Sequence, residues 1–290
     1  MKSQLVAINS FLRNLDVNLA LMPLSHFKRR ARRFARRMKS WLTIVELTLS
    51  GNSVERVSNL KNSNRPVMLL YGFGATRRTL SILEKRLQQD GYPTFSVNLG
   101  GLFNTFNTSA IEELGKYIEK KVERLYRKYH FRGRLAIIAH SKGGLIAQYY
   151  VKKLSGAKRV KKLITLGTPH NGSVWAFLMG LTPAALVMKS IRQMAPRSKL
   201  IKSLRETPFP HQVKVYSIYS KSDTVSPFPA AVLTEAPHVK NIEVPGVTHS
   251  ELLIKKNVYY AIRHALKDEM PLSWEAAGQR DYEDHLRNHV

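Results

Sequence analysis

A chain of 290 residues, 43% of them apolar, is long enough for one α/β domain with a sizeable core or for two smaller domains. Its 47 Lys and Arg against 20 Asp and Glu give a formal charge of +27, which draws anionic surfaces but says nothing about fold. The absence of cysteine excludes a disulfide framework and any Cys-based metal site.

Residues 1–50 carry two helical patterns. Leu5, Ile8, Leu12, Leu15, Leu19 and Met22 alternate spacings of three and four, which places them on one helix face, and Pro23 ends the run. Phe27, Ala31, Phe34, Met38 and Trp41 repeat the spacing. Lys28, Arg29, Arg30, Arg32, Arg33, Arg36, Arg37 and Lys39 fill the positions between. A basic amphipathic helix suits an anionic membrane surface, and the expected partner of residues 1–45 is such a surface. The alternative is a helix that packs its stripe on a neighbouring domain. Arg13 and Asp16 interrupt the first apolar run, so no signal peptide is expected. No run approaches the ~18 apolar residues of a spanning helix. The expected location is cytoplasmic, peripheral on the inner membrane surface.

Residues 51–65 are polar and lack a period, as a linker would. Val67–Leu70 then reads as a buried strand, and Tyr71-Gly72-Phe73-Gly74 turns out of it. Leu80, Leu83 and Leu87 mark a helix that stops at Gly91, and Thr94 to Leu99 reads as a second strand. Ser109-Ala110-Ile111-Glu112 has the spacing of a capping box. The helix it opens carries Ile111, Leu114, Ile118, Val122 and Leu125. Further strands are expected at Leu135–Ile138, Leu163–Leu166, Val213–Tyr219 and Ile242–Val244. Strands alternating with helices imply a mostly parallel sheet with helices on both faces. Between residues 166 and 213 lies an insertion rich in apolar residues, among them Trp175, Phe177, Met179, Leu186 and Ile191. Connections of that length are usually functional or have structure of their own, and the alternative here is ordinary core helix packed on the sheet. From Lys267 the chain turns acidic and reads as a solvated, partly helical tail.

Ala139-His140-Ser141-Lys142-Gly143-Gly144 follows the third strand and precedes a helical run. Strand, tight turn and helix around a serine with small residues two before and two after it is the context of a nucleophile elbow. The chain therefore resembles the α/β-hydrolase family in its lipase and esterase branch, with alanine in place of the first glycine of G-x-S-x-G, as in small bacterial lipases. The resemblance spans roughly residues 65–266. It implies an α/β-hydrolase fold with a short helical cap at about 170–210. Residues 1–64 form a separate basic helical region with its linker, and 267–290 an acidic tail.

In that family the triad runs Ser…Asp/Glu…His along the chain. The resemblance implies Ser141 as nucleophile, Asp223 as acid and His249 as base. Asp223 is the one aspartate between Ser141 and His249, with Glu206, Glu235 and Glu243 as substitutes. The oxyanion donors implied are the backbone N–H groups of Phe73 and Lys142; Tyr71 stands where lipases carry the histidine of H-G-x-G. Trp175, Phe177, Met179 and Leu186 are expected to border an acyl site. His140 should be structural, and His170, in Gly167-Thr168-Pro169-His170-Asn171-Gly172, should support the site from behind. No metal-binding or nucleotide-binding motif occurs, so neither metal nor cofactor is expected, and no nucleic acid. The expected activity is cleavage of lipid or other carboxylic esters through an acyl-enzyme. Two alternatives remain at this point: an acyltransferase with the same triad, and a non-catalytic basic protein that binds membrane or nucleic acid.

Overall fold

The computed structural model describes residues 24–52, 60, 65–100, 107–131, 133–180 and 188–269, with the side chains of 24–36 and 179–180 outside that description. The first helical pattern, Leu181, Leu186, Val187 and the tail beyond residue 269 also lie outside it. The chain divides into a unit of Met1–Thr43 and a unit of Ile44–Val290. The second helical pattern forms α1 (Leu24–Leu49), whose Arg37, Met38, Lys39, Trp41 and Leu42 are exposed. No helix among the described residues is long and apolar enough to cross a membrane.

Within the second unit six parallel strands form one sheet: β1 (Val67–Leu70), β2 (Thr94–Ser96), β3 (Leu135–His140), β4 (Val160–Leu166), β5 (Lys214–Tyr219) and β6 (Val239–Glu243). Their order is β2-β1-β3-β4-β5-β6. Every residue of β1 and β3 is buried, which is why these strands read as unbroken apolar runs. Helices cover both faces, as the α/β-hydrolase fold requires. One layer holds α2 (Ser81–Gln89) and α9 (Lys256–Lys267), joined where the Tyr259 hydroxyl donates to Arg86 O at 2.9 Å and Asp90 Oδ2 at 2.7 Å. In the other, α3 (Ile111–Tyr129) packs on α4 (Lys142–Lys153), with the one-turn α5 (Gly156–Arg159) beyond.

The strand order decides where a site can form. The chain leaves β1 outward to β2, then returns past β1 to β3. The connections after β1 and β3 therefore diverge to opposite faces, and in open α/β sheets the carboxyl ends of two such strands are where ligands bind. Gly72-Phe73 and Ser141 stand at those ends.

Several expected elements are corrected. The charged residues Lys161 and Lys162 hid the start of β4, which begins at Val160. Lys162 is buried there because its ammonium donates to Ala265 O at 3.1 Å and to Leu266 O, and pairs with Asp268 at 2.9 Å. The second strand stops at Ser96. β6 starts at Val239, earlier than expected, since only Val239 and Ile242 of this edge strand are fully buried. The capping box does not form. The N-cap of α3 is Ala110, and Ile111 N donates to Gln193 Oε1 at 2.8 Å, while Gln193 Nε2 donates to the Glu112 carboxylate. The cap of α3 thus comes from the insertion. Asp268, read as tail, is bound into the sheet base: against the burial that opposes it, hydrogen bonds from Lys162, Lys214 and Tyr216 hold it down at about 2.

The small residues two before and two after Ser141 have a steric cause. Ala139 is fully buried, and a Cβ on Gly143 would stand 2.7 Å from Tyr71 O and 2.9 Å from Leu70 O. Both obstacles are backbone of β1 and its turn, so neither can swing aside. Gly143→Ala is expected to cost about 1–3 kcal/mol, the usual range for overpacking. A thermal melt checks it; an unchanged Tm would mean that α4 can retreat from β1.

Candidate active site

Ser141 is the residue between β3 and α4, with φ 54° and ψ −127°. The other described non-glycine residues with positive φ, His130 and Asp268, are left-handed caps at helix C-termini. Ser141 stands at a helix N-terminus and outside the left-handed region, a conformation that costs on the order of 1–3 kcal/mol. The turn is held from both sides: Ser141 N donates to Leu166 O at 2.9 Å, and Thr168 Oγ1 donates to Ser141 O at 3.0 Å. Gly72 lies directly against it, since a Cβ there would be 2.7 Å from Ser141 Cβ and 3.2 Å from its Oγ.

Asp223 follows β5 in a tight turn and has no side-chain exposure. Its Oδ1 accepts from Val225 N and Ser226 N, both at 2.9 Å, and its Oδ2 from His249 Nδ1 at 2.7 Å. A carboxylate offers only acceptors, so the proton sits on His249 Nδ1 and leaves Nε2 a free base. The three substitute carboxylates are occupied elsewhere: Glu206 pairs with Lys202 at 3.9 Å, Glu243 with Lys221 at 2.9 Å, and Glu235 neighbours Asn241 at 3.4 Å. Gly167 packs on the Asp–His bond itself. A Cβ there would meet Asp223 Oδ2 at 2.8 Å and His249 Nδ1 at 3.1 Å.

The loop that carries His249 has supports that the sequence reading missed. Thr248 N and Oγ1 donate to Glu251 Oε2 at 3.0 and 2.9 Å, and Glu251 pairs with Lys255 at 3.2 Å. Although burial opposes ionisation, these hydrogen bonds hold the Glu251 carboxyl below its ordinary range. The signal was present: Thr248-x-x-Glu251 has capping-box spacing. His140 holds the loop that carries His249. Its Nε2 donates to His249 O at 3.0 Å, and the two rings lie 4.6 Å apart. Burial, reinforced by His249, pushes His140 down to about 3, so it stays neutral.

His170 lies deeper than expected. It touches Gln148, Thr165 Oγ1 at 3.0 Å and Ser217 Oγ at 3.1 Å, a buried network that anchors its loop to β4 and β5. Tyr71, in the histidine's place, is fully buried; its hydroxyl accepts from Leu99 N at 2.8 Å and orders the loop after β2. Phe73 is half-buried against the core. Lys142 opens α4, and the first N–H groups of any helix have no intrahelical partner. Trp175 and Phe177 lie on α6 (Val174–Gly180), 55% and 51% exposed. Trp175 Nε1 donates to Thr224 O at 2.7 Å, which sets α6 beside the Asp223 turn. The insertion continues with α7 (Lys189–Gln193) and α8 (Lys199–Glu206). The Met179 side chain and Leu186 lie outside the described residues.

Comparison with known proteins agrees with this architecture. The lipase BlEst2 of Bacillus licheniformis, in its mature form, superposes with a TM-score of 0.56 at 16% identity, over 73% of this chain and 94% of that one. Lipase B of Aspergillus fumigatus gives 0.58 at 19% identity, over 74% of this chain and 55% of the other. Phospholipase PlaB of Legionella pneumophila gives 0.55 at 13% identity, over 71% and 60%. At such identities the likeness is one of fold. The sequence itself matches the family model described as the PGAP1-like alpha/beta domain over residues 47–223, a stretch that holds the elbow and ends on Asp223. A match over more than half of the chain, on the sheet and elbow just described, makes this chain a member of the PGAP1-like alpha/beta family of α/β hydrolases.

Proposed function

We propose that the chain is a serine carboxylester hydrolase of lipid esters, with Ser141 as nucleophile, His249 as base and Asp223 as the group that orients it. The observation that carries the reading is the 2.7 Å bond between His249 Nδ1 and Asp223, at the sheet end where Ser141 is held in its strained turn. A histidine fixed in that tautomer is a base with one free nitrogen.

In this reading His249 Nε2 takes the Ser141 proton as Oγ attacks the ester carbonyl. The oxyanion is stabilised by the backbone N–H groups of Lys142 and Phe73. The imidazolium passes its proton to the departing alcohol, which leaves an acyl-enzyme. Water, deprotonated by the same nitrogen, then releases the acid and restores Ser141. Asp223 stabilises the transient imidazolium and stays ionised. Trp175 and Phe177 border the acyl chain, supported by their apolar surface beside the Asp223 turn. The test is hydrolysis of p-nitrophenyl esters of graded chain length, with Ser141→Ala as the control.

The same reading has the enzyme held at its substrate by α1. Eight basic residues lie within Lys28–Lys39. Each Lys or Arg close to an anionic surface contributes about 1 kcal/mol, within a Debye length. The exposed Met38, Trp41 and Leu42 supply an apolar complement. Co-sedimentation with vesicles is expected to need anionic lipid and to weaken with salt. Changing Arg32, Arg33, Arg36 and Arg37 together to Gln should abolish it. Equal binding to zwitterionic vesicles would remove the arginines from this role.

A further inference from the structure

Lys142, the residue after Ser141, has no exposure at all. Its Nζ donates to Asn107 O, Asn107 Oδ1 and Ser109 O, each at 2.8 Å. An ammonium has three N–H groups, so donors and acceptors match one to one. None of the three acceptors is a carboxylate. A buried charge without a counter-ion is costly to keep and persists only where dipoles replace its water.

The segment that Lys142 grips returns from the carboxyl end of β2 to α3, at the elbow's end of the sheet. The insertion grips the same segment: Ser190 Oγ donates to Thr108 O at 3.1 Å, and Gln193 Oε1 accepts from Ile111 N at 2.8 Å. Lys142 therefore ties the elbow to a strap that α7 also holds.

We propose that the Lys142 side chain is a positioning residue, whose three-donor tie to Asn107 and Ser109 fixes the aim of its own backbone N–H at the oxyanion. The proposal rests on the serine-hydrolase reading. It has a chemical signature. A neutral amine has two N–H groups for three acceptors, so one oxygen would face a lone pair at 2.8 Å and the strap would shift. Burial alone pushes the amine down to about 7. The three acceptors favour the charged form and pull the other way. The groups that face it are neutral: Asn107 and Ser109 on the strap, with Ser190 and Gln193 beyond. Glu112, in the first turn of α3, is bound by Gln193. The Asp223–His249 pair acts on His140 and not on this amine.

The sign of the linkage separates aim from stability. A lysine whose folded pKa lies below its unfolded value leaves the unfolded chain with more protons between the two. Its contribution to stability therefore rises with pH across that window, from about 7 towards the ordinary lysine value. Activity should fall over the same range as the tie loosens.

The experiment is constant-pH titration of tributyrin hydrolysis, from below pH ~7 to about pH 10, with thermal melts at each pH. It uses the full chain, Lys142→Met, and Ser141→Ala as the chemical blank. The expected result is a folded Lys142→Met protein with kcat lower by roughly tenfold at neutral pH and KM within about twofold. The wild-type kcat should fall towards the mutant's as pH rises, while the wild-type Tm gains on the mutant's. A wild-type kcat that is flat across the window overturns the proposal, whether or not Lys142→Met folds. So does a mutant that loses the same factor at every pH, which is the mark of a merely structural role. Hydrolysis by a folded Ser141→Ala protein at the wild-type rate overturns the serine reading itself, and the proposal with it.

Discussion

Ser141→Ala is expected to lower kcat on carboxylic esters by about a millionfold, the loss found when the nucleophile of a serine hydrolase is removed. The fold should survive. The turn is held by the Ser141 N–H bond to Leu166 O and by the Thr168 hydroxyl on Ser141 O, neither of which uses the serine hydroxyl. Alanine keeps the Cβ and so keeps the strain of φ 54°. Ser141→Gly removes the Cβ and should be equally inactive but more stable, by about 1 kcal/mol once the added chain entropy is deducted. Paired measurements of turnover and Tm on the two variants test both halves. A folded Ser141→Ala enzyme with comparable activity would refute the assignment.

Asp223→Asn should cost about ten-thousandfold in kcat, less than loss of the nucleophile, because in the proposed mechanism the residue orients the base and does not react. The structure gives the reason for the loss. Val225 N and Ser226 N both donate to Oδ1, so an asparagine must keep its carbonyl oxygen there. Its NH₂ then replaces Oδ2 and points at His249 Nδ1, 2.7 Å away in the native chain. A donor facing Nδ1 forces the imidazole proton onto Nε2, where no base is left to accept from Ser141. Glu235→Gln should leave turnover unchanged. Silence at Asp223→Asn together with loss at Glu235→Gln would show that the acid is another residue.

The residues just discussed were singled out because the proposed chemistry needs special residue types at special turns. A serine flanked by Ala139 and Gly143 after an apolar run has few uses other than an elbow. A lone aspartate after β5 and a histidine after β6 follow the chain order that the family resemblance implies. The parallel sheet was equally readable, since strands buried on both faces leave apolar runs. What could not be read depends on partners distant in the chain. Ser109 and Glu112 have the spacing of a cap, but Ser109 O is taken by Lys142 and the helix N–H by Gln193, 82 residues away. Lys162 is buried only because α9 brings carbonyls and Asp268 to it. The Lys142 side chain had no local signal either, because its acceptors lie 33 and 35 residues earlier in a loop.

The Gln193 bond to Ile111 bears on how far this molecule is modular. Hydrolases of this fold invite exchange of the segment after β4, since a long excursion between two strands looks like a detachable accessory. Here the excursion finishes the first turn of a helix in the parental scaffold. A transplanted segment that lacks an amide at the equivalent place would leave Ile111 N without its acceptor and free the Glu112 carboxylate. The end of α3 that adjoins the Lys142 strap would then fray. Grafting new specificity onto this scaffold therefore means carrying Gln193 across with the graft, or replacing Ala110 with a residue that caps α3 by itself.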